Sequence, residues 1–344
     1  MSFKSRTPVY RKKPFVIVGA MAIVIALVGV ILFSTQSDPS KVAVKKKSPV
    51  TTTTEKKIVL APLTGLEDPT GDSRERPAVA IKIGNNPEAR PQAGITEADI
   101  VYEEIVEGGI TRYLAIFNST VPERVGPVRS VRGMDPNIAL NWGGIFAYSG
   151  GAAKNEAKIK STKGILALNE TAAGSGMKRD SSRGAPNNLY AIPSVLYTKG
   201  GTPVPPIAQF VYSPKPSLLA DPASSFIVGF KSGFACTWKY DVATSKYLRS
   251  YTSNPVVDQK GKQVAAENVV VQFISYPSES EGITTGSGNV WIFRNGKVVK
   301  GTWERPTTEA PATFKDAEGN ILSLQPGQTW VELASTSTVV TVTP

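Results

Sequence analysis

The sequence contains no histidine and a single cysteine, Cys236. The first absence removes Ser-His-Asp and Cys-His nucleophile arrangements, histidine general bases and nearly all zinc sites. The second rules out an intrachain disulfide, and a lone thiol is a poor metal ligand that reads as an ordinary buried small residue. Any chemistry must run on carboxylates, Lys, Tyr, Ser or Arg. Internal repeats of solenoid or propeller period are missing too. So is a basic stripe with interleaved aromatics that would follow a nucleic-acid backbone.

What is present is a chain of 344 residues, 41% of them hydrophobic, long enough for a sizeable core and for two domains rather than one. Its formal charge of +11 is unevenly spread. Residues 1–57 hold 11 Lys and Arg against 2 acidic residues, which leaves 28 against 26 for residues 58–344. The folded part is nearly neutral, and the basic tail reads as membrane-surface electrostatics without nucleic-acid binding.

"FVIVGAMAIVIALVGVILF", residues 15–33, is an uncharged apolar run of the length a helix needs to cross a bilayer. Lys4, Arg6, Arg11, Lys12 and Lys13 precede it and favour a cytoplasmic N-terminus, although Lys41 and Lys45 to Lys47 beyond it weaken that bias. No small-x-small cleavage pattern follows, so an uncleaved anchor is expected. The chain then divides into a basic cytoplasmic stub (1–14), one N-terminal transmembrane helix (15–33) and a flexible Ser/Thr/Lys/Pro-rich linker (34–57). An N-terminal α/β or α+β ectodomain (58–200) follows, then a Pro- and Gly-dense connection (201–222) and a β-rich C-terminal domain (223–344). In the first of these, "DPNIALNW", "AAKNEAKIK" and "IPSVLYT" are short helix candidates. In the last, "RNGK" at 294–297 is the strongest hairpin turn. Most of the five tryptophans are expected in the core.

"EADIVYEEIVEGGITRYLAIF", residues 97–117, places Glu103, Glu104, Glu107 and Arg112 around a double glycine. Taken as a hairpin with Gly108-Gly109 as a two-residue turn, it puts Arg112 diagonal to both Glu103 and Glu107. That grouping is either an internal ion cluster or part of a ligand site. A catalytic carboxylate pair is disfavoured, because a guanidinium between Glu103 and Glu107 holds both ionised. Downstream, "VGPVRSVRGMD" supplies Arg129 and Arg132, and "MKRDSSRGAPNNLY" supplies Arg183 and Asp180. Convergence of Arg112, Arg129, Arg132 and Arg183 with Asp180 or Asp99 would suit a phosphate or diphosphate, with a divalent cation where an acid joins. The bland alternative is that each arginine neutralises a nearby acid. "DPTGDSRE" at 68–75 and "KDAEGN" at 315–320 read as turns, and "SGGA" at 149–152 as a tight strand-to-helix connection.

"PLTGL", "RPAVAIKI", "ARPQAGITEADIVYE", "VEGGITRYLAIF", "GPVRSVR", "RDSSRGAPNNLY", "GSGNVWIFRNGKVVKGTW" and "LQPGQTWVE" together resemble the YerB-like lipoprotein family (domain of unknown function 3048, N- and C-terminal regions). The resemblance spans most of residues 62–333. It implies an extracytoplasmic, membrane-attached bacterial protein and no established reaction. Family members tend to carry a lipid-modified cysteine, which the apolar run replaces here, and often have histidine at the positions of Tyr148, Asn187 and Asn254. At the level of architecture alone, the chain is also similar to the LytR-CpsA-Psr group, which handles polyprenyl-diphosphate-linked glycans. That likeness would cast Arg129, Arg132 and Arg183 as diphosphate clamps and Asp99 as a Mg²⁺ ligand. The leading expectation is an anchored envelope protein that binds a cell-wall glycan, a lipid-linked precursor or an envelope protein, without catalysis and without a cofactor. The alternative is metal-assisted transfer or hydrolysis of a phosphate-linked glycan.

Overall fold

Residues 58–200 contribute five strands to a mixed sheet: β1 (Val79–Gly84), β2 (Ile100–Ile105), β3 (Thr111–Phe117), β4 (Gly144–Ala147) and β5 (Ile165–Leu168). A small hairpin, β6 (Met177–Arg179) and β7 (Leu189–Ala191), stands apart from it. Four short helices connect them: α1 (Asp135–Ala139), α2 (Ala153–Ser161), α3 (Glu170–Ala173) and α4 (Pro193–Tyr197). The computed structural model describes residues 58–200, 204–215, 220–230 and 234–344. The expected membrane span and linker lie outside them, and among the described residues no helix is long and apolar enough to cross a membrane.

Among the described residues after 200 the regular elements are strands: β8 (Asp221–Pro222), β9 (Ser225–Gly229), β10 (Ala235–Asp241), β11 (Lys246–Tyr251), β12 (Asn254–Pro255), β13 (Ala265–Ala266), β14 (Asn268–Ile274), β15 (Gly286–Arg294), β16 (Lys297–Arg305), β17 (Thr313–Lys315), β18 (Thr329–Ser335) and β19 (Val339–Thr343). The RNGK turn joins β15 to β16 with Asn295 and Gly296 both at positive φ, the backbone a two-residue hairpin needs. The segment is therefore mixed α/β in its first part and β-rich in its second.

The two parts share one sheet. Its order is β17-β16-β15-β14-β18-β2-β3-β1-β4-β5, with β8 paired to β16. Strand β2 thus lies between β3 and β18, the latter from near the end of the chain. Strands β14, β18, β2, β1, β4 and β5 all run parallel, and β3 is the antiparallel strand among them. A second sheet, β12-β11-β10-β9-β19 with β13 on β11, shares an apolar cluster with one face of the first: Val101, Tyr113 and Phe117 with Phe226, Trp238 and Tyr247. The opposite face carries Ile100, Tyr102, Leu114 and Ile116 against Met134, Ile138, Trp142 and Ile159. Burial on both faces explains why β1, β2 and β3 are near-continuous apolar runs.

The β2–β3 register corrects the hairpin expected from the sequence. Gly108 and Gly109 sit inside a longer loop, Val106–Ile110, and the pairs are Ile105 with Thr111, Glu104 with Arg112, and Glu103 with Tyr113. The slip is one residue, and in a strand one residue exchanges faces. Arg112 therefore shares its face with Glu104, while Glu103 points at the second sheet. The wider loop is held from outside, since Glu279 accepts a hydrogen bond from the Gly108 N–H (2.8 Å) and the Ser280 hydroxyl donates to Glu107 (3.0 Å). Four tryptophans, Trp142, Trp238, Trp303 and Trp330, are buried. Trp291 is half-buried, at a groove of about 560 Å³ where β14 and β15 part.

Candidate functional site

The carboxyl ends of the parallel strands form one edge of the main sheet, where ligands of open α/β sheets commonly bind. At this edge β1 and β4 separate. They pair directly only from Val79–Ile145 to Ile81–Ala147. Beyond that the segment Pro127–Val131 enters between them, bridging Ile83 through Val128 on one side and Gly151 through Val131 on the other. The insertion carries Arg129, and Arg132 just after it, to the start of β3, where Arg112 lies.

Three guanidinium groups meet there. Arg112 and Arg132 both donate to a single acceptor, the Ser130 carbonyl oxygen, at 3.1 and 3.4 Å. Arg129 donates to Asn187 Oδ1 at 2.6 Å, a neutral partner. One carboxylate is paired with the group, Glu107 on Arg132 at 2.8 Å, and it is the more exposed of the two. Burial, followed by the charges of Arg132 and Arg129, pulls Arg112 down to about 10. Burial and Arg132 likewise lower Arg129. Guanidiniums held together with too little opposite charge make an arrangement that an anion would relieve.

Beneath the arginines lies a fully buried trio. Lys82 Nζ contacts Glu104 and stands 2.8 Å from Asp135 Oδ1, with none of the three side chains exposed. Asp135 Oδ2 accepts the Arg132 backbone N–H at 2.5 Å, so the trio fixes the backbone from which Arg132 projects. Glu104 is pushed up by burial and by the neighbouring Asp135 charge.

The other residues expected at the site are elsewhere. Arg183 donates to the Glu88, Arg90 and Pro91 carbonyls and to the Tyr190 hydroxyl, so it braces a loop. Asp180 pairs with Arg124 at 3.0 Å and caps Ser182. Asp99 stands just before β2, at the far edge of the sheet, about 17 Å of strand from Glu104. Its buried carboxylate accepts the Asn118 and Ser119 backbone N–H groups (2.6 and 2.8 Å) and the Ser119 hydroxyl, and burial raises it to about 6. Among the described residues no three His, Cys, Asp or Glu side chains are grouped to hold a metal ion.

Glu103 does not join Arg112 and Glu107. It faces a second buried cluster, in which Arg249 lies 2.6 Å from Glu103 and 2.8 Å from Glu332, all without exposure. Trp238 and Trp330 donate their indole N–H groups to Glu332 (2.9 Å) and Glu103 (3.3 Å). One guanidinium against two carboxylates leaves an excess negative charge, and burial first, then the Glu332 charge, raises Glu103 to about 8. Protonated Glu103 makes the trio neutral.

A pH dependence follows. Glu103 binds its proton more tightly folded than unfolded, so its stabilising contribution is full below the ordinary glutamate value. It is lost as pH rises toward about 8. Asp99 acts in the same sense up to about 6. Denaturant melts between pH 5 and 8.5 should show stability falling with pH, and Glu103→Gln should flatten the upper part of that slope. A slope of the opposite sign would contradict the assignment.

Lys82, Arg249 and Glu332 were not singled out in the sequence, and Asp135 drew notice only as the start of the "DPNIALNW" helix candidate. The signal for Lys82 and Glu332 was a lone charge at a core-facing position of an apolar run, as in "PAVAIKI" and "TWVELA".

Comparison with known proteins places this arrangement. Residues 63–202 match the model described as "Protein of unknown function (DUF3048) N-terminal domain", and residues 227–331 match the corresponding C-terminal domain. The chain is 28% identical over 290 residues to the Bacillus subtilis (strain 168) protein named "Putative lipoprotein YerB", covering 80% of this chain and 86% of that one. The crystal structure of the YerB protein from Bacillus subtilis superposes with a TM-score of 0.72 at 25% identity, over 82% of this chain and 99% of that one. With both domain models matched in order across most of its length, the chain belongs to the DUF3048 family, whose members include YerB.

Proposed function

We propose that the protein is a single-pass, membrane-anchored envelope protein whose exterior segment binds a phosphate-bearing partner at the Arg112–Arg129–Arg132 cluster, as a binding module and not as an enzyme. The observation that carries this reading is the pair of guanidiniums on one carbonyl oxygen, with a third nearby on a neutral amide. Envelope placement is supported by the uncharged run at 15–33, the basic residues before it, and the lipoprotein name of the Bacillus relative. The N-terminus is then cytoplasmic and the family domains extracytoplasmic. A lipid-linked diphosphate precursor or a phosphate-substituted cell-wall glycan offers the matching anion. An acidic envelope protein is the remaining partner class. The alternative of metal-assisted transfer on polyprenyl-diphosphate-linked glycan requires Asp99 beside the arginines, and Asp99 lies at the opposite edge with its oxygens engaged.

Thermal shift of the detergent-solubilised full chain with pyrophosphate and with polyprenyl diphosphate, each with and without Mg²⁺, tests the reading. At a hundredfold excess over Kd a bound ligand adds about 2.7 kcal/mol. Arg129→Ala and Arg132→Ala should abolish the ligand shift. Arg129→Ala should leave the ligand-free melt within about 1 kcal/mol of wild type or raise it, because a repelling charge is removed. A ligand shift that survives both substitutions removes these residues from the site.

A further inference from the structure

The Lys82–Glu104–Asp135 trio has a geometry that an ion pair does not require. The amine contacts both carboxyls at the centre of the face that buries Tyr102 and Leu114, the residue directly across from Lys82. Asp135 presents Oδ1 to Lys82 Nζ at 2.8 Å, while its Oδ2 accepts the Arg132 N–H at 2.5 Å. A donor on the oxygen away from the amine is where charge would collect if nitrogen added to the Asp135 carbonyl carbon. Glu104 touches Nζ through Oε2, lies near enough to Asp135 to be raised by its charge, and keeps Oε1 without any hydrogen-bond partner. A carboxyl on the nucleophile and close to the electrophile is placed to relay a proton.

We propose that Lys82 and Asp135 condense into an intramolecular amide, with Glu104 as the catalytic proton relay. Nζ first passes one proton to Oδ1 across their 2.8 Å contact, its freed lone pair then forms the new C–N bond to Asp135 Cγ, and the tetrahedral oxyanion rests on Oδ2 against the Arg132 N–H. Glu104 takes a proton from nitrogen and delivers one to Oδ1, whose bond to Cγ breaks. An ammonium and a carboxylate become an amide and one water, Glu104 returns to its starting form, and no oxidant or activating group is consumed. Two reactants fixed in contact in a dry interior correspond to effective molarities of about 10⁵ M or more, and the expelled water leaves for solvent. The bond would tie β1 to α1 and enclose β2 and β3 in a covalent loop, in a chain whose single cysteine forbids an intrachain disulfide. The inference is independent of the anion site, so Arg129→Ala should leave the mass change intact.

Intact-mass spectrometry of the denatured full chain should give a value about 18 Da below that of the sequence, one water. A tryptic digest should contain a branched peptide joining Lys82 to Asp135, uncleaved at Lys82. Glu104→Gln and Lys82→Arg should return the full mass. Wild-type protein at full mass, with the ordinary Lys82 peptide recovered, overturns the proposal. So does a loss of water located at any other pair. The wild-type measurement decides the question even if neither variant folds.

Discussion

Arg249→Ala should cost about 3–5 kcal/mol of stability, the range for removing one partner from a buried ion cluster. The guanidinium lies between Glu103 and Glu332 with no solvent contact, and both carboxylates belong to the main sheet while Arg249 belongs to the second. Removing it leaves two acids in an apolar space where neither finds water. Trp238 and Trp330 lie under the guanidinium at 5.1 and 4.8 Å, so cation–π contact and packing go with the charge. A fall in melting temperature of roughly 10 °C is expected for a unit of this size. Arg249→Met, which keeps much of the volume, should cost nearly as much. The triple change Arg249→Met, Glu103→Gln, Glu332→Gln should recover a large part, because no buried charge is left unmatched. Equal losses in the single and triple variants would place the energy in packing alone.

Trp330→Ala should be comparably severe, about 3–5 kcal/mol, the usual cost of deleting a large buried aromatic ring. Trp330 is fully buried on β18 and meets Tyr113 and Trp238 edge-on, at ring separations of 5.1 and 5.4 Å. Its N–H also reaches Glu103, so the cavity opens beside a carboxyl that loses a donor. The two sites touch, and their effects should not add. A double variant as destabilised as the sum of the two would show that the aromatic floor and the ion cluster act separately.

How much of this was legible beforehand depends on the range of the contacts. The RNGK hairpin was readable because its turn chemistry is local. Arg129 and Arg132 drew notice as neighbours in a Gly- and Pro-containing loop, and the inserted segment does carry them to Arg112. The β2–β3 register was misjudged because a double glycine invites the shortest turn, and the contacts that hold the wider loop come from Glu279 and Ser280, far along the chain. The partners of Glu103 and Glu104 were out of reach for the same reason. Arg249 sits on another sheet, and Asp135 is delivered by a helix after β3. Asp99 and Arg183 have the residue type of a ligand site, yet their backbone partners give both of them bracing roles that composition does not reveal.

The pairing of β2 with β18 bears on how the protein reaches its folded state. A chain emerging N-terminus first presents β1 to β5 long before residues 329–335 appear, and until then β2 has an open flank of unsatisfied N–H and C=O groups. Completion waits for the last part of the polypeptide, so folding should be late and cooperative. A ribosome-stalled intermediate ending before Thr329 should accordingly be protease-sensitive throughout, including the stretch that holds the arginines.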